Sequence, residues 1–122
     1  MLPEGLQALY ASSDEDASLA GLAVFPGAVR KLPETSKLPH MGWNQLRRLR
    51  PSVLLEGIPA DAYFYFAHSY AALDSGESAA ALCEHGVPFV ALTESGNVLG
   101  VQFHPEKSGA AGLGVLRRFL AA

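Results

Sequence analysis

Gly96-Asn-Val-Leu-Gly-Val-Gln-Phe-His-Pro-Glu-Lys107 is the stretch from which the rest of this chain is read. Val98, Leu99, Val101 and Phe103 favour a strand, and Ser95-Gly96 ahead of them signals a turn. The strand runs into His104-Pro105-Glu106. Proline disfavours helical backbone in the residue before it, so His104 is predicted to be extended. Side chains two residues apart in extended chain share a face, which sets Glu106 beside His104. A carboxylate that holds an imidazole in one tautomer makes it a good general base for a Ser or Cys nucleophile. On its own, His-x-Glu also suits an ordinary strand end followed by a polar loop.

The surrounding residues narrow this choice. Gly-x-x-x-Gly-Val-Gln-Phe-His-Pro-Glu resembles the histidine and glutamate segment of class I glutamine amidotransferases. Pro39-His-Met-Gly-Trp-Asn44 and Tyr63-Phe-Tyr-Phe-Ala-His-Ser-Tyr70 are similar to the glutaminase subunits of imidazole glycerol phosphate synthase, and so are Lys107 and Ser108. The resemblance runs from about Gly5 to Phe119. It implies an α/β, flavodoxin-like amidotransferase domain of which this chain is the C-terminal portion, rich in antiparallel hairpins and closed by a helix. It also implies hydrolysis of glutamine to glutamate and ammonia, with the ammonia passed to a cyclase subunit in a heterodimer. No metal or organic cofactor is implied.

The same resemblance assigns residues. His104 is the expected base and Glu106 its orienter. Gln7 and His68-Ser69-Tyr70 are expected around the substrate glutamine. Trp43 and Lys107 are expected to face the cyclase. The family's nucleophile turn has the pattern Gly-x-Cys-x-Gly-x-Gln. Laying Gly5 and Gln7 on its last two fixed positions puts Pro3 where the cysteine belongs. Proline has no thiol and no backbone N–H for an oxyanion. This chain alone is therefore expected to be inactive, with its first residues a truncated, replaced or misread start. A docking subunit without turnover and one half of a split enzyme stay open beside the glutaminase. A branch of guanylate synthesis is disfavoured by Pro39 to Asn44 and by Lys107.

Length and composition agree with a small enzyme domain. A chain of 122 residues is one domain, and 49% hydrophobic residues supply a core. A net charge of −3 argues against nucleic-acid binding through bulk charge. The basic run Arg47-Arg48-Leu49-Arg50 reads as a solvated loop. No signal peptide is visible, and no apolar run approaches the ~18 residues of a membrane span. The single cysteine allows no internal disulfide and suits a cytoplasmic protein. No close Cys or His pairs with zinc-ligand spacing are present.

Along the chain, residues 5–12 are predicted to form a short amphipathic helix. Residues 13–18 read as an acidic loop, 21–27 as a short apolar run closed by Pro26-Gly27, 28–32 as a strand, and 33–36 as a turn. An extended segment at 37–46 and a helical turn within 52–58 follow. The aromatic run 62–72 is the strongest strand. Strands at 79–84 and 87–94 meet at His85-Gly86, and Ser95-Gly96-Asn97 turns into the last strand. A final helix is predicted over 112–122, with Leu113, Leu116 and Leu120 on one face. Cys83 reads as a buried apolar residue, since it has no turn or helix start to lower its pKa. His40 and His85 read as surface or hydrogen-bonded histidines.

Overall fold

The aromatic run is where the architecture is decided, because it serves two sheets. A computed structural model of the protein describes Gln7 and residues 10–13, 25–33, 37–73 and 76–121. Within it the run is two strands, β5 (Tyr63–His68) and β6 (Tyr70–Ala72), broken at Ser69. β5 pairs antiparallel with β3 (His40–Gln45), setting His40 opposite His68 and Trp43 opposite Tyr65. β6 pairs antiparallel with β2 (Phe25–Lys31), which lies parallel to β1 (Tyr10–Ser13). The Ser69 carbonyl accepts from Leu32 N–H at 2.8 Å, stitching the break to the end of β2.

The third sheet has the order β4-β7-β8-β9, from β4 (Arg47–Arg48), β7 (Ala79–His85), β8 (Val87–Ser95) and β9 (Val98–Val101). Its hairpins turn at Gly86 and Gly96, both at positive φ, as the tight turns require. Val53–Leu55 forms a 3-10 turn whose start is capped by the Ser52 hydroxyl.

Burial follows the two-residue period of β5. Phe64, Phe66 and His68 point inward, and Tyr63, Tyr65 and Ala67 point outward. The buried rings meet Phe103 and Phe89: Phe64 and Phe103 lie 4.4 Å apart, and Phe66 stands edge-on to Phe89 at 5.7 Å. Leu32, Leu54, Leu92 and Val115 complete this core. Burying such side chains supplies most of the stability of a small domain, roughly 1.5–3 kcal/mol for each large one.

Several sequence expectations shift here. Residues 10–13 are strand, and Gln7 sits in a 3-10 turn, so no helix spans 5–12. So short a helix has little stability of its own, whereas pairing with β2 satisfies the backbone. Pro26-Gly27 lies inside β2 and does not close the run before it. The basic run is no solvated loop. Residues 47–48 pair with β7, Arg48 donates to the carbonyls of Ile58 and Pro59, and Arg50 donates to those of Ser78 and Glu94. The acidic loop beyond Ser13 and the turn beyond Pro33 lie outside the described residues, as does Pro3.

The closing helix α1 (Gly109–Ala121) begins three residues before the predicted start. Its buried face is Gly112 and Val115, while Leu113, Leu116, Phe119 and Leu120 are exposed. The reason is close approach. A Cβ at Gly112 would lie 2.0 Å from the Pro105 carbonyl oxygen and 2.7 Å from Ser108 Cβ. Glycine lets α1 rest directly on the His104-Pro105-Glu106 turn, and that seating rotates the leucines outward. Beside them an apolar groove of about 280 Å³ runs between α1 and β9, lined by Leu99, Val101, Leu116 and Phe119 among others. No helix among the described residues is long and apolar enough to cross a membrane.

Candidate active site

His104 is extended, with φ −96° and ψ 98°, and Pro105–Lys107 then closes into a 3-10 turn. Glu106 therefore reaches His104 around a turn and not along a strand. The contact expected from the sequence is present by a different route: His104 Nδ1 lies 2.9 Å from Glu106 Oε1. An ionised carboxylate only accepts, so Nδ1 carries the proton and Nε2 of the neutral ring keeps its lone pair. The imidazole is about one-third exposed and the carboxylate more than half. The pair sits where a substrate can reach it.

Ser108 holds the turn in place. Its buried hydroxyl donates to the His104 carbonyl at 2.6 Å and accepts from the Tyr65 N–H at 2.9 Å. The His104 N–H in turn donates to the Tyr65 carbonyl at 2.9 Å. His104 is thus fastened to the middle of β5. On the outer face of β5 the Tyr65 ring meets Trp43 edge-on, with centroids 5.9 Å apart, and Lys107 Nζ lies 5.9 Å from its centre. Trp43 is 54% exposed, and Met41 and Tyr63 beside it are 62% and 54% exposed. Trp43 is therefore not a core tryptophan. It belongs to an aromatic surface contiguous with the His104 turn.

Gln7 is buried and meets residues from two other elements. Its Nε2 donates to the Tyr70 carbonyl at 3.0 Å and to Gln102 Oε1 at 3.1 Å. Gln102 lies two residues before His104, so this amide abuts the segment that leads from β9 into His104. His68 is buried with both ring nitrogens occupied, one by His40 and one by the Tyr70 carbonyl. Ser69 forms the break between β5 and β6. Sequence reading assigned no part in this region to Gln102, Tyr65, Asn44 or His40. Gln102 lies inside the quoted motif and had a visible signal. The others depend on strand register.

Electrostatics separate the remaining titratable groups. Burial, followed by the neighbouring histidine charges, lowers His40 to about 4. Burial also lowers His68 to about 4, with His85 and His104 adding to it and the Tyr70 carbonyl opposing it. His85 stacks on His40 at 4.3 Å and contacts the Lys37 carbonyl. Although three histidines gather here, no group of His, Cys, Asp or Glu among the described residues could hold a metal ion. Cys83 is buried, and burial pushes its thiol up to about 12, which leaves no thiolate at neutral pH.

Comparisons with known proteins place the chain in a family. Residues 5–122 match the family described as glutamine amidotransferase class-I. A Moorella thermoacetica protein named imidazole glycerol phosphate synthase subunit HisH is 47% identical over 116 residues, which are 94% of this chain and 55% of the relative. The protein of that name from Methanothermobacter thermautotrophicus is 50% identical over 116 residues, covering 95% and 58%. That from Methanosarcina mazei is 43% identical over 119 residues, covering 95% and 59%. The chain thus spans about half the length of the curated relatives it matches.

The buried histidines make an acid-lability prediction. In the unfolded chain they take up protons near their ordinary 6.5, and in the folded chain only near 4. The unfolded state binds more protons between those values, so stability is complete above about 6.5 and is lost as pH falls toward 4. Urea unfolding at pH ~7.5 and ~5, above the ordinary carboxylate range, is expected to show a loss of a few kcal/mol at the lower pH. Equal unfolding midpoints contradict two buried neutral rings.

Proposed function

The chain belongs to the class I glutamine amidotransferases, and from that membership we propose that it carries the base half of a glutaminase site in an imidazole glycerol phosphate synthase. The observation behind this reading is the His104–Glu106 pair, 2.9 Å apart on an accessible turn. Glu106 holds the Nδ1 proton, so Nε2 accepts the proton of a cysteine thiol. The thiolate attacks the side-chain amide carbon of glutamine, and the tetrahedral oxyanion forms. His104 returns the proton to the departing nitrogen, which leaves as ammonia, and a glutamyl thioester remains. Water then attacks the thioester with His104 as base. Glutamate leaves, and the proton returns to the thiolate.

The thiol in this scheme is not Cys83, which is buried and held protonated. Pro3 stands at the nucleophile position of the family pattern. Catalysis is therefore assigned to an assembly in which a cysteine comes from outside these 122 residues. Around the substrate, Gln7 and the His68-Ser69-Tyr70 segment line the pocket, with Gln7 in contact. The ammonia passes to a cyclase subunit in a heterodimer, and Trp43 and Lys107 form part of the surface that meets it. Exposed aromatics around one rigid ring suit an interface anchor. Pro3 also favours a second reading, a subunit that docks on the cyclase without turning over glutamine.

A glutaminase assay separates the two readings. The chain joined ahead of Gly5 to a class I segment carrying the Gly-x-Cys turn is expected to release glutamate, while the chain alone is expected to be silent. His104→Ala in the joined protein is expected to lose at least ~10²-fold in kcat, and Glu106→Gln less, since the ring remains but its tautomer is less secure. An unchanged rate in His104→Ala rules out His104 as the base. Turnover by the chain alone that disappears in Cys83→Ala overturns the exclusion of that thiol.

The partner surface has its own test. Trp43→Ala is expected to weaken binding to a cyclase by roughly 2 kcal/mol or more in titration calorimetry. Equal affinities for the two forms remove Trp43 from the interface.

A further inference from the structure

The inward faces of β3 and β5 carry a run of contacts that the glutaminase scheme does not use. Asn44 Nδ2 lies 3.3 Å from His40 Nε2, His40 Nδ1 lies 3.0 Å from His68 Nε2, and His68 Nδ1 lies 3.0 Å from the Tyr70 carbonyl oxygen. The far end determines where every proton sits. A carbonyl only accepts, so His68 Nδ1 carries the proton that faces Tyr70. A neutral imidazole has one N–H, so His68 Nε2 is an acceptor, and the proton between the rings belongs to His40 Nδ1. His40 Nε2 is then bare and accepts from the Asn44 amide. The orientation of Asn44 is fixed independently: its Oδ1 accepts from the Gln45 N–H at 2.8 Å, and its Nδ2 donates to the Glu84 carbonyl at 3.0 Å. All donors therefore point one way, from β3 toward Tyr70.

The Tyr70 carbonyl has two lone pairs, and the Gln7 amide takes the second. The same Nε2 also donates to Gln102, so both amide hydrogens of Gln7 are used. Gln7 is 5% exposed, and its Oε1 is buried with no partner among the described residues. A buried acceptor left unpaired is costly, and native proteins keep few of them. Such an acceptor can take an N–H from a ligand.

We propose that His40 and His68 are positioning residues for Gln7. Their donor chain fills the Tyr70 carbonyl and holds the Gln7 carboxamide so that Oε1 alone is free to accept an N–H from an amide or ammonium ligand. Both ring nitrogens of His68 are taken within this chain. His68 acts through Tyr70, and His40 acts through His68. That the ligand is glutamine rests on the function proposed above; the arrangement of protons does not.

The proton positions can be read directly by ¹⁵N imidazole NMR on the histidine-labelled chain near neutral pH. Both His40 and His68 are expected to be protonated at Nδ1 with Nε2 bare. A proton on Nε2 of either neutral ring overturns the proposal. Asn44→Asp replaces the terminal donor by an acceptor, so a proton is expected on His40 Nε2 while His68 keeps its Nδ1–H; an unchanged His40 overturns it. Kinetics of the joined glutaminase then test the positioning. His40→Phe is expected to raise KM for L-glutamine about tenfold, the scale of one hydrogen bond, with kcat retained. His40→Asn, whose amide N–H lies near the place of Nδ1–H, is expected to restore KM. An unchanged KM in His40→Phe overturns the positioning role. A joined protein with no glutaminase activity counts against the proposed function alone, because the tautomers are measured without it.

Discussion

Strand β5 at Tyr65 is the constraint on which the rest of this structure depends. Its N–H is taken by Ser108 Oγ, its carbonyl is taken by the His104 N–H, and the Ser108 hydroxyl closes the loop onto the His104 carbonyl. One buried hydroxyl thus acts as both acceptor and donor, and neither Tyr65 backbone group is left to find water. β5 cannot slide, because Phe64 and Phe66 on its other face are packed against Phe103 and Phe89. A one-residue slip would exchange the two faces and bring Tyr65 into the core. The position of His104 is therefore inherited from the hydrophobic core through two backbone bonds. The Tyr65 ring carries the same position outward to Trp43 and Lys107. The His104 turn and the exposed aromatic surface lie on two sides of one residue.

The histidines show how environment divides one residue type between tasks. His104 is about one-third exposed and faces a carboxylate, so its ring is open to contact from outside the chain. His40 and His68 are buried among aromatic rings, and their low pKa values keep them neutral, which a chain of fixed donors requires. A second proton on His68 would sit on Nε2, facing the Nδ1–H of His40. Desolvation and hydrogen-bond direction therefore push the same way. Cys83 is treated by the same rule with the opposite charge, since burial that disfavours ions keeps the thiol protonated.

Much of the candidate site was legible in the sequence because it is local. His104 and Glu106 are two residues apart, and either an extended chain or a 3-10 turn brings them together, so the pairing survived an incorrect account of its geometry. The hairpins at Gly86 and Gly96 were legible for the same reason. What depended on distant partners was not. Ser108 looks like any loop serine until β5, 43 residues earlier, lies against it. His40 and His68 are 28 residues apart and meet only through the β3–β5 register. The leucines of α1 follow a helical period correctly, yet the contact of Gly112 with Pro105 decides which way the helix faces. Periodicity gives the stripe on a helix and does not say what covers it.

The clamp on β5, and not the His-x-Glu sequence by itself, sets the position of the proposed base. Ser108→Ala removes the one hydroxyl and leaves His104, Pro105 and Glu106 in place. Amide hydrogen exchange, read together with the ¹⁵N signals of the His104 ring, tests this directly. The amides of Tyr65 and His104 are expected to lose protection together, and the His104 Nδ1 proton is expected to lose its hydrogen-bonded shift. Protection lost at Tyr65 alone, with the His104 ring unchanged, would contradict it.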